Sequence, residues 1–205
     1  QRLVLEYLDA FGDVAAARGP FKSTLDVCAG GLIEARGFAS VSVAGHPEGH
    51  PFLDPTAALK VLAAWRDWRR RTNLEVDVVT QFCFESAPIL QWIDDLAKAE
   101  IELPVIVGLA GPATPATLTK FALRCGIGNS MPALRSQIGR FGRLLTDTGP
   151  DDVVRGLRSA PAAATAPIAG FHLFPFGGLR KAGEWLRNYD RDPLRPAERA
   201  TVSRT

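Results

Sequence analysis

The chain has few of the residues that announce a specialised class of protein. Its 205 residues include three cysteines, three histidines and one methionine. Cys28, Cys83 and Cys125 are odd in number, widely spaced and without any C-x-x-C arrangement. That speaks against a disulfide framework and against a zinc site, and it fits a reducing cytoplasm. No metal is expected. Charge of one sign is scarce as well: the formal net charge is +2, and the arginines are scattered apart from Arg69-Arg70-Arg71. A nucleic-acid surface therefore has no electrostatic support. No apolar run approaches the ~20 residues that a membrane helix needs, so no membrane span is expected. The first residues do not read as a secretory leader. The sequence also lacks a G-x-G-x-x-G following a strand, a G-x-S-x-G elbow and a Walker loop, so no dinucleotide fingerprint, hydrolase elbow or nucleotide-phosphate cradle is expected.

What remains is ordinary globular composition, with 46% hydrophobic and 22% charged residues. That suffices for one cored domain, or most of one. Short apolar runs alternate with helix-like stretches. The runs are Leu3 to Leu8, Ala39 to Ala44, Val76 to Phe84, Leu103 to Leu109 and Ile168 to Phe174. Their lengths and β-branched content suit buried strands, although Leu3 to Leu8 could equally begin a helix. Helices are expected from Pro55 to Arg71 behind an Asp54 cap, from Ala87 to Glu100, and from Thr114-Pro115 towards Arg124. Two more are expected from Asp151 or Asp152 to Arg158 and from Gly178 to Arg187. Ala160 to Pro167 reads as a connection, and a loose polar tail is expected over 188–205. Repeated strand–helix order predicts a parallel sheet with helical crossovers. The pattern alone does not separate a closed barrel from an open doubly wound sheet. In both, ligands bind at the C-terminal strand edge.

Three segments put polar groups at such an edge. In Val43 to Pro51, V-A-G-H-P-E-G-H-P, two histidines stand four apart. Pro47, Gly49 and Pro51 forbid the regular helix that would make this a metal-binding face. The segment is a strand running into a rigid turn. It either aims two imidazoles and a carboxylate from the strand end or is a capped turn with surface histidines. In Val78 to Phe84, Gln81 interrupts an apolar strand. Its carboxamide can donate and accept at once, which suits a pterin or flavin edge; bonding to nearby backbone is the alternative. In Val107 to Pro115, the glycines permit close backbone approach, or simply a tight turn.

Taken in order, Gly12-Asp13, Gly19-Pro20-Phe21, A-G-H-P-E-G-H-P, V-T-Q-F, L-P-V-I-V-G, F-A-x-R-C-G and the F-H-L-F strand resemble the methylenetetrahydrofolate reductase family. The likeness runs from about Gly12 to about Arg187. It implies an α/β fold, a (β/α)8 TIM barrel holding FAD at the C-terminal ends of its strands. Residues 1–187 would be part of that barrel, from about its fourth strand to its last helix, with the first strands absent from this chain. By the resemblance, Asp13 lies near the pyrimidine edge of the flavin and tunes it. Ala44 and His46 line the isoalloxazine, and His50 contacts the cofactor. A basic residue of the next helix, Arg66 or Lys60, reaches the cofactor. Gln81 holds the pterin of the folate, and Phe121 packs on substrate or nicotinamide; a helix residue packed in the core is the alternative for Phe121.

Some positions depart from the family. Phe11 stands where an arginine is common, Thr117 replaces a glutamine, and His172 to Gly178 reads H-L-F-P-F-G-G. The general acid of the family has no secure counterpart; Glu6 resembles it only superficially. The implied activity is reduction of 5,10-methylenetetrahydrofolate to 5-methyltetrahydrofolate, with NADH or NADPH as hydride donor. Two other readings remain open. One is a flavin barrel acting on another C–N bond, like proline dehydrogenase. The other is a non-catalytic flavin- or folate-binding relative. A homo-oligomer is left open.

Overall fold

The computed structural model describes residues 2–4, 24–50, 53–125 and 149–190. Asp13, Glu6, Phe11, the Gly19-Pro20-Phe21 landmark, most of Leu3 to Leu8 and most of the tail lie outside the described residues. The architecture is a five-stranded, all-parallel sheet with helices between the strands. Along the chain come β1 (Arg2–Val4), α1 (Thr24–Ala29), α2 (Leu32–Ala35) and β2 (Ser40–Gly45). Next are α3 (Pro55–Arg71), β3 (Glu75–Cys83), α4 (Ser86–Lys98), β4 (Val105–Ala110) and α5 (Pro115–Arg124). The last are α6 (Asp151–Ser159), α7 (Ala162–Thr165), β5 (Ile168–Phe174) and α8 (Leu179–Asp190).

Local chemistry explains the helix starts. Asp54 accepts the Ala57 N–H at 2.9 Å, with Pro55 in the first helical position of α3. Thr114 does the same for Thr117 at 3.3 Å ahead of Pro115 and α5. Each cap satisfies a backbone donor that has no partner within its helix. Helix α6 differs from the expectation. Neither acidic residue caps it. Instead Asp151 accepts the Trp185 indole N–H at 3.1 Å, tying α8 to α6, and Asp152 pairs with Arg155. Helix α8 continues to Asp190, beyond the expected end at Arg187. The Ala160 to Pro167 connection contains the single turn α7.

The strands neighbour one another in chain order, β1-β2-β3-β4-β5. A doubly wound sheet would reverse its order at a switch point. Among the described residues there is no reversal, and the arrangement is compatible with part of an α/β barrel. The main core lies on one face. There Val41, Val43, Val76, Val78, Val105, Val107 and Leu109 meet Leu62, Trp65 and Trp68 of α3, Ile89, Ile93 and Leu96 of α4, and Val153, Val154 and Leu157 of α6. A smaller cluster of Phe82, Phe84, Ala110, Ala113, Leu118 and Ala122 joins the strand ends to α5.

The two clusters reveal a break in β3. Val76 and Val78 belong to the main core, as strict alternation requires. Further along, Cys83 belongs to it while Phe82 and Phe84 join the smaller cluster. The alternation has slipped by one residue. The β3–β4 register shifts between Val79 and Phe82, as in a β-bulge. The Thr80 hydroxyl fills the gap in the ladder. It accepts the Gly108 N–H at 2.8 Å and donates to the Gln81 main-chain carbonyl at 2.8 Å. Gly108 is required here, because a Cβ at that position would collide with the Thr80 carbonyl oxygen.

Candidate functional site at the C-terminal strand edge

The β2–β3 ladder ends with Gly45 opposite Thr80. The next residue on each strand, His46 and Gln81, therefore emerges at the same edge of the sheet. Past Gly45 the chain turns sharply. The Gly49 N–H donates to the His46 carbonyl at 3.0 Å, and Gly49 takes φ 93°, which a side chain would oppose. This turn brings the two imidazoles together. Their ring centroids are 4.6 Å apart and their planes are nearly perpendicular, at 85°. The pairing is edge-to-face, as aromatic quadrupoles prefer. Burial, and then the neighbouring His50, lower the pKa of His46 to about 4. His46 is therefore neutral at physiological pH, with one ring nitrogen donating and the other accepting.

Gln81 sits in the bulge. Its amide Nε2 is buried and has no hydrogen-bond partner among the described residues. An unsatisfied buried donor costs about 1–3 kcal/mol. A ligand acceptor would remove that cost. Glu48, in the same turn as the histidines, is 7% exposed and contacts the Cys83 thiol. Burial, then the charge of Glu48 and its hydrogen bond, push the Cys83 pKa well up. Cys83 therefore stays a thiol.

Ala44 lies opposite Val79 in register, and Ser42 lies opposite Asp77. On β5, His172 pairs in register with Gly108 and rests against Phe174 at 4.5 Å, 69°. The far side of the edge is aromatic. Phe82 meets Phe84, Phe174 and Phe176, Phe174 stacks on Phe176, and Phe121 of α5 stacks on Phe176 at 4.4 Å and 23°.

Of the residues expected to form a site, Ala44, His46, His50 and Gln81 share the edge of β2 and β3. Phe121 is near β3 and β5, but one face of its ring is taken up by Phe176. Arg66 is elsewhere. Helix α3 runs back along the sheet, so its last turns lie at the opposite edge. There the Arg66 guanidinium donates to the Glu100 carbonyl at 3.0 Å and pairs with Asp67 at 2.8 Å. It closes the C-terminal end of α4. Lys60, the other candidate, is exposed in the first half of α3. Sequence reasoning did not single out Thr80, Cys83 or His172 as site-building residues. A hydroxyl beside the lone amide of an apolar strand was the one available signal, and it identifies Thr80 only.

The edge offers a buried amide without an acceptor among the described residues and a neutral imidazole. Those groups fit a planar, uncharged heterocycle with both donors and acceptors on its rim, such as a flavin or pterin ring. Among the described residues, no group of three or more His, Cys, Asp or Glu could hold a metal ion, and no helix is long and apolar enough to cross a membrane. Compared with models of known protein families, the chain matches none.

Proposed function

We propose that the chain is the flavin-binding part of a (β/α)8 reductase of the methylenetetrahydrofolate reductase type. It would use FAD, with NADH or NADPH as hydride donor, to convert 5,10-methylenetetrahydrofolate to 5-methyltetrahydrofolate. The observation that carries this reading is the Gln81 amide, without a partner among the described residues, standing with His46 one residue past the end of the β2–β3 ladder in a parallel sheet ordered in sequence. The order of motifs along the chain supports it independently.

Bound flavin would supply two-electron hydride chemistry at this edge. The residues of the chain would do the rest. Gln81 would donate from Nε2 and accept at Oε1, fixing the rotation of the pterin in its plane. His46, being neutral, would bind the ring system without placing a positive charge on it. Ala44 and Val79 would let the ring approach the sheet closely, and His50 would hold the His46 ring by its edge. Asp13, outside the described residues, is the proposed carboxylate at the pyrimidine rim. Arg66 has no part in this reading, because its guanidinium is engaged at the far edge.

The test is a visible absorption spectrum of the purified full-length gene product. It is followed anaerobically on adding NAD(P)H and then methylenetetrahydrofolate. The flavin band is expected to bleach with the first and return with the second. A colourless protein that takes up no added FAD would sink the reading. Substituting Gln81→Ala is expected to slow folate-dependent reoxidation about tenfold or more while leaving bleaching by NAD(P)H near its original rate. Equal losses in both half-reactions would remove Gln81 from the pterin.

A further inference from the structure

We propose that Thr80 is a positioning residue for Gln81: its hydroxyl, together with the space left by Gly108, sets the direction in which the Gln81 carboxamide leaves β3. On one side of β3 the ladder with β2 ends at Thr80, opposite Gly45. On the other side the pairing with β4 passes from Val79 opposite Ile106 straight to Phe82 opposite Gly108. Thr80 and Gln81 thus stand against the single residue Val107. Thr80 is still in register with β2, whereas Gln81 is paired in neither ladder among the described residues. It is the inserted residue of the bulge, so the contacts of the bulge, and not the sheet, decide where its side chain is aimed.

Those contacts come from Thr80, which is fully buried. Its hydroxyl donates to the Gln81 main-chain carbonyl at 2.8 Å and accepts the Gly108 N–H at 2.8 Å. The Gln81 peptide plane is thereby tied to β4 through one side chain, whose branched Cβ leaves it little freedom. The Cys83 thiol reaches the same carbonyl only at 4.0 Å. Gly108 supplies the room. A Cβ there would lie 2.9 Å from the Gln81 carbonyl oxygen and 2.8 Å from Cε2 of Phe174. Hydrogen bonds weaken steeply away from their axis, so a carboxamide that must donate and accept in one plane tolerates little rotation. What Gln81 holds rests on the reductase reading above; the tether itself does not.

The experiment compares Thr80→Val, Thr80→Ser, Gln81→Ala and the Thr80→Val/Gln81→Ala double variant with the parent, in the full-length protein. The first readout needs no ligand: the three-bond NMR couplings that report the χ1 rotamer of Gln81. The parent and Thr80→Ser are expected to hold one rotamer and Thr80→Val to average over several. The second readout is the pair of anaerobic half-reactions. Thr80→Val is expected to slow folate-dependent reoxidation about tenfold while bleaching by NAD(P)H stays near the parental rate, and Thr80→Ser to restore most of the loss. On the Gln81→Ala background Thr80→Val should add less than about a twofold loss, because nothing remains for it to position. A residue that only stabilised the fold would act equally on both backgrounds.

A parent in which the Gln81 rotamer is already averaged overturns the proposal. So does a Thr80→Val variant that keeps the parental rotamer, or one that brings its full loss on the Gln81→Ala background. If Thr80→Val fails to fold, Thr80→Ala set against Thr80→Ser makes the same comparison. If the parent takes up no FAD, the reductase reading falls and the ligand-free couplings alone judge the tether.

Discussion

A histidine that stays uncharged well below neutral pH donates and accepts where its cation could only donate, and it alters stability in a predictable direction. The pKa of His46 is about 4 in the folded chain, against an ordinary 6.5. Between those values the unfolded chain binds the extra proton. Stability is therefore full above about pH 6.5, declines as the pH falls towards about 4, and levels off below that. The loss is at most about 3 kcal/mol, from the size of the shift. Urea denaturation across this range should show the decline, and His46→Gln should flatten it. Thiol chemistry offers a second check. Cys125 is exposed, whereas Cys28 and Cys83 are buried. Native protein should release one equivalent quickly with a disulfide reagent, and denatured protein three. Fast reaction at Cys83 would contradict its protonated, buried state. At this scale the sequence was informative where a polar residue stood at the end of an apolar run, as with His46 and Gln81. It was uninformative where a role depends on a distant partner. Arg66 has the charge of a cofactor ligand, yet its partner is a carbonyl 34 positions along the chain. Glu48 meets Cys83 across two strands, and nothing local in either segment announces that contact.

Among the elements, the β3 bulge matters most for the candidate site, because it carries Gln81, whose amide Nε2 has no partner among the described residues. Thr80 and Gly108 hold it in place. Thr80→Val removes the acceptor of a buried N–H and should cost about 1–3 kcal/mol in urea denaturation, whereas Thr80→Ser should cost much less. Gly108→Ala must push its Cβ against main chain rather than a yielding side chain; a loss of about 1–3 kcal/mol or more is expected. A neutral result for either would mean that the bulge is held by something else. Helices α3 and α5 were legible to the residue because an acid or hydroxyl followed by proline marks a start. Strand β5 was legible because its run is bounded by Pro167 and Pro175. The bulge was not legible. Val78 to Phe84 reads as one uninterrupted strand, and a slip in register exists only relative to β4. The short helices α1 and α2 also escaped notice, since six and four residues are too few to establish a period.

For the molecule as a whole, alternating strands and helices predict parallel pairing, but not which strand lies beside which. Both a barrel segment and a doubly wound sheet satisfy the same pattern of runs. The observed order is a property of long-range packing: Trp65, Ile89, Leu96 and Leu157 fill one face between the sheet and helices α3, α4 and α6. Leu96, 1% exposed at the centre of that layer, is a direct probe of it. Leu96→Ala should cost about 2–5 kcal/mol by cavity formation, without shifting the His46 titration. Coupled loss of both would mean that the layer and the edge are one unit. The parallel direction of every strand has a further consequence. It separates the segments that hold the framework from those of the candidate site: connections at one edge are braced by contacts such as Arg66 to Glu100, while those at the other carry His46 and Gln81. A mutational library confined to His46, Pro47 and His50, leaving out the buried Glu48, the left-handed Gly49 and the Thr114 cap, could therefore explore new recognition while leaving the helical layer unchanged, and thermal melting of its members should vary less than their binding.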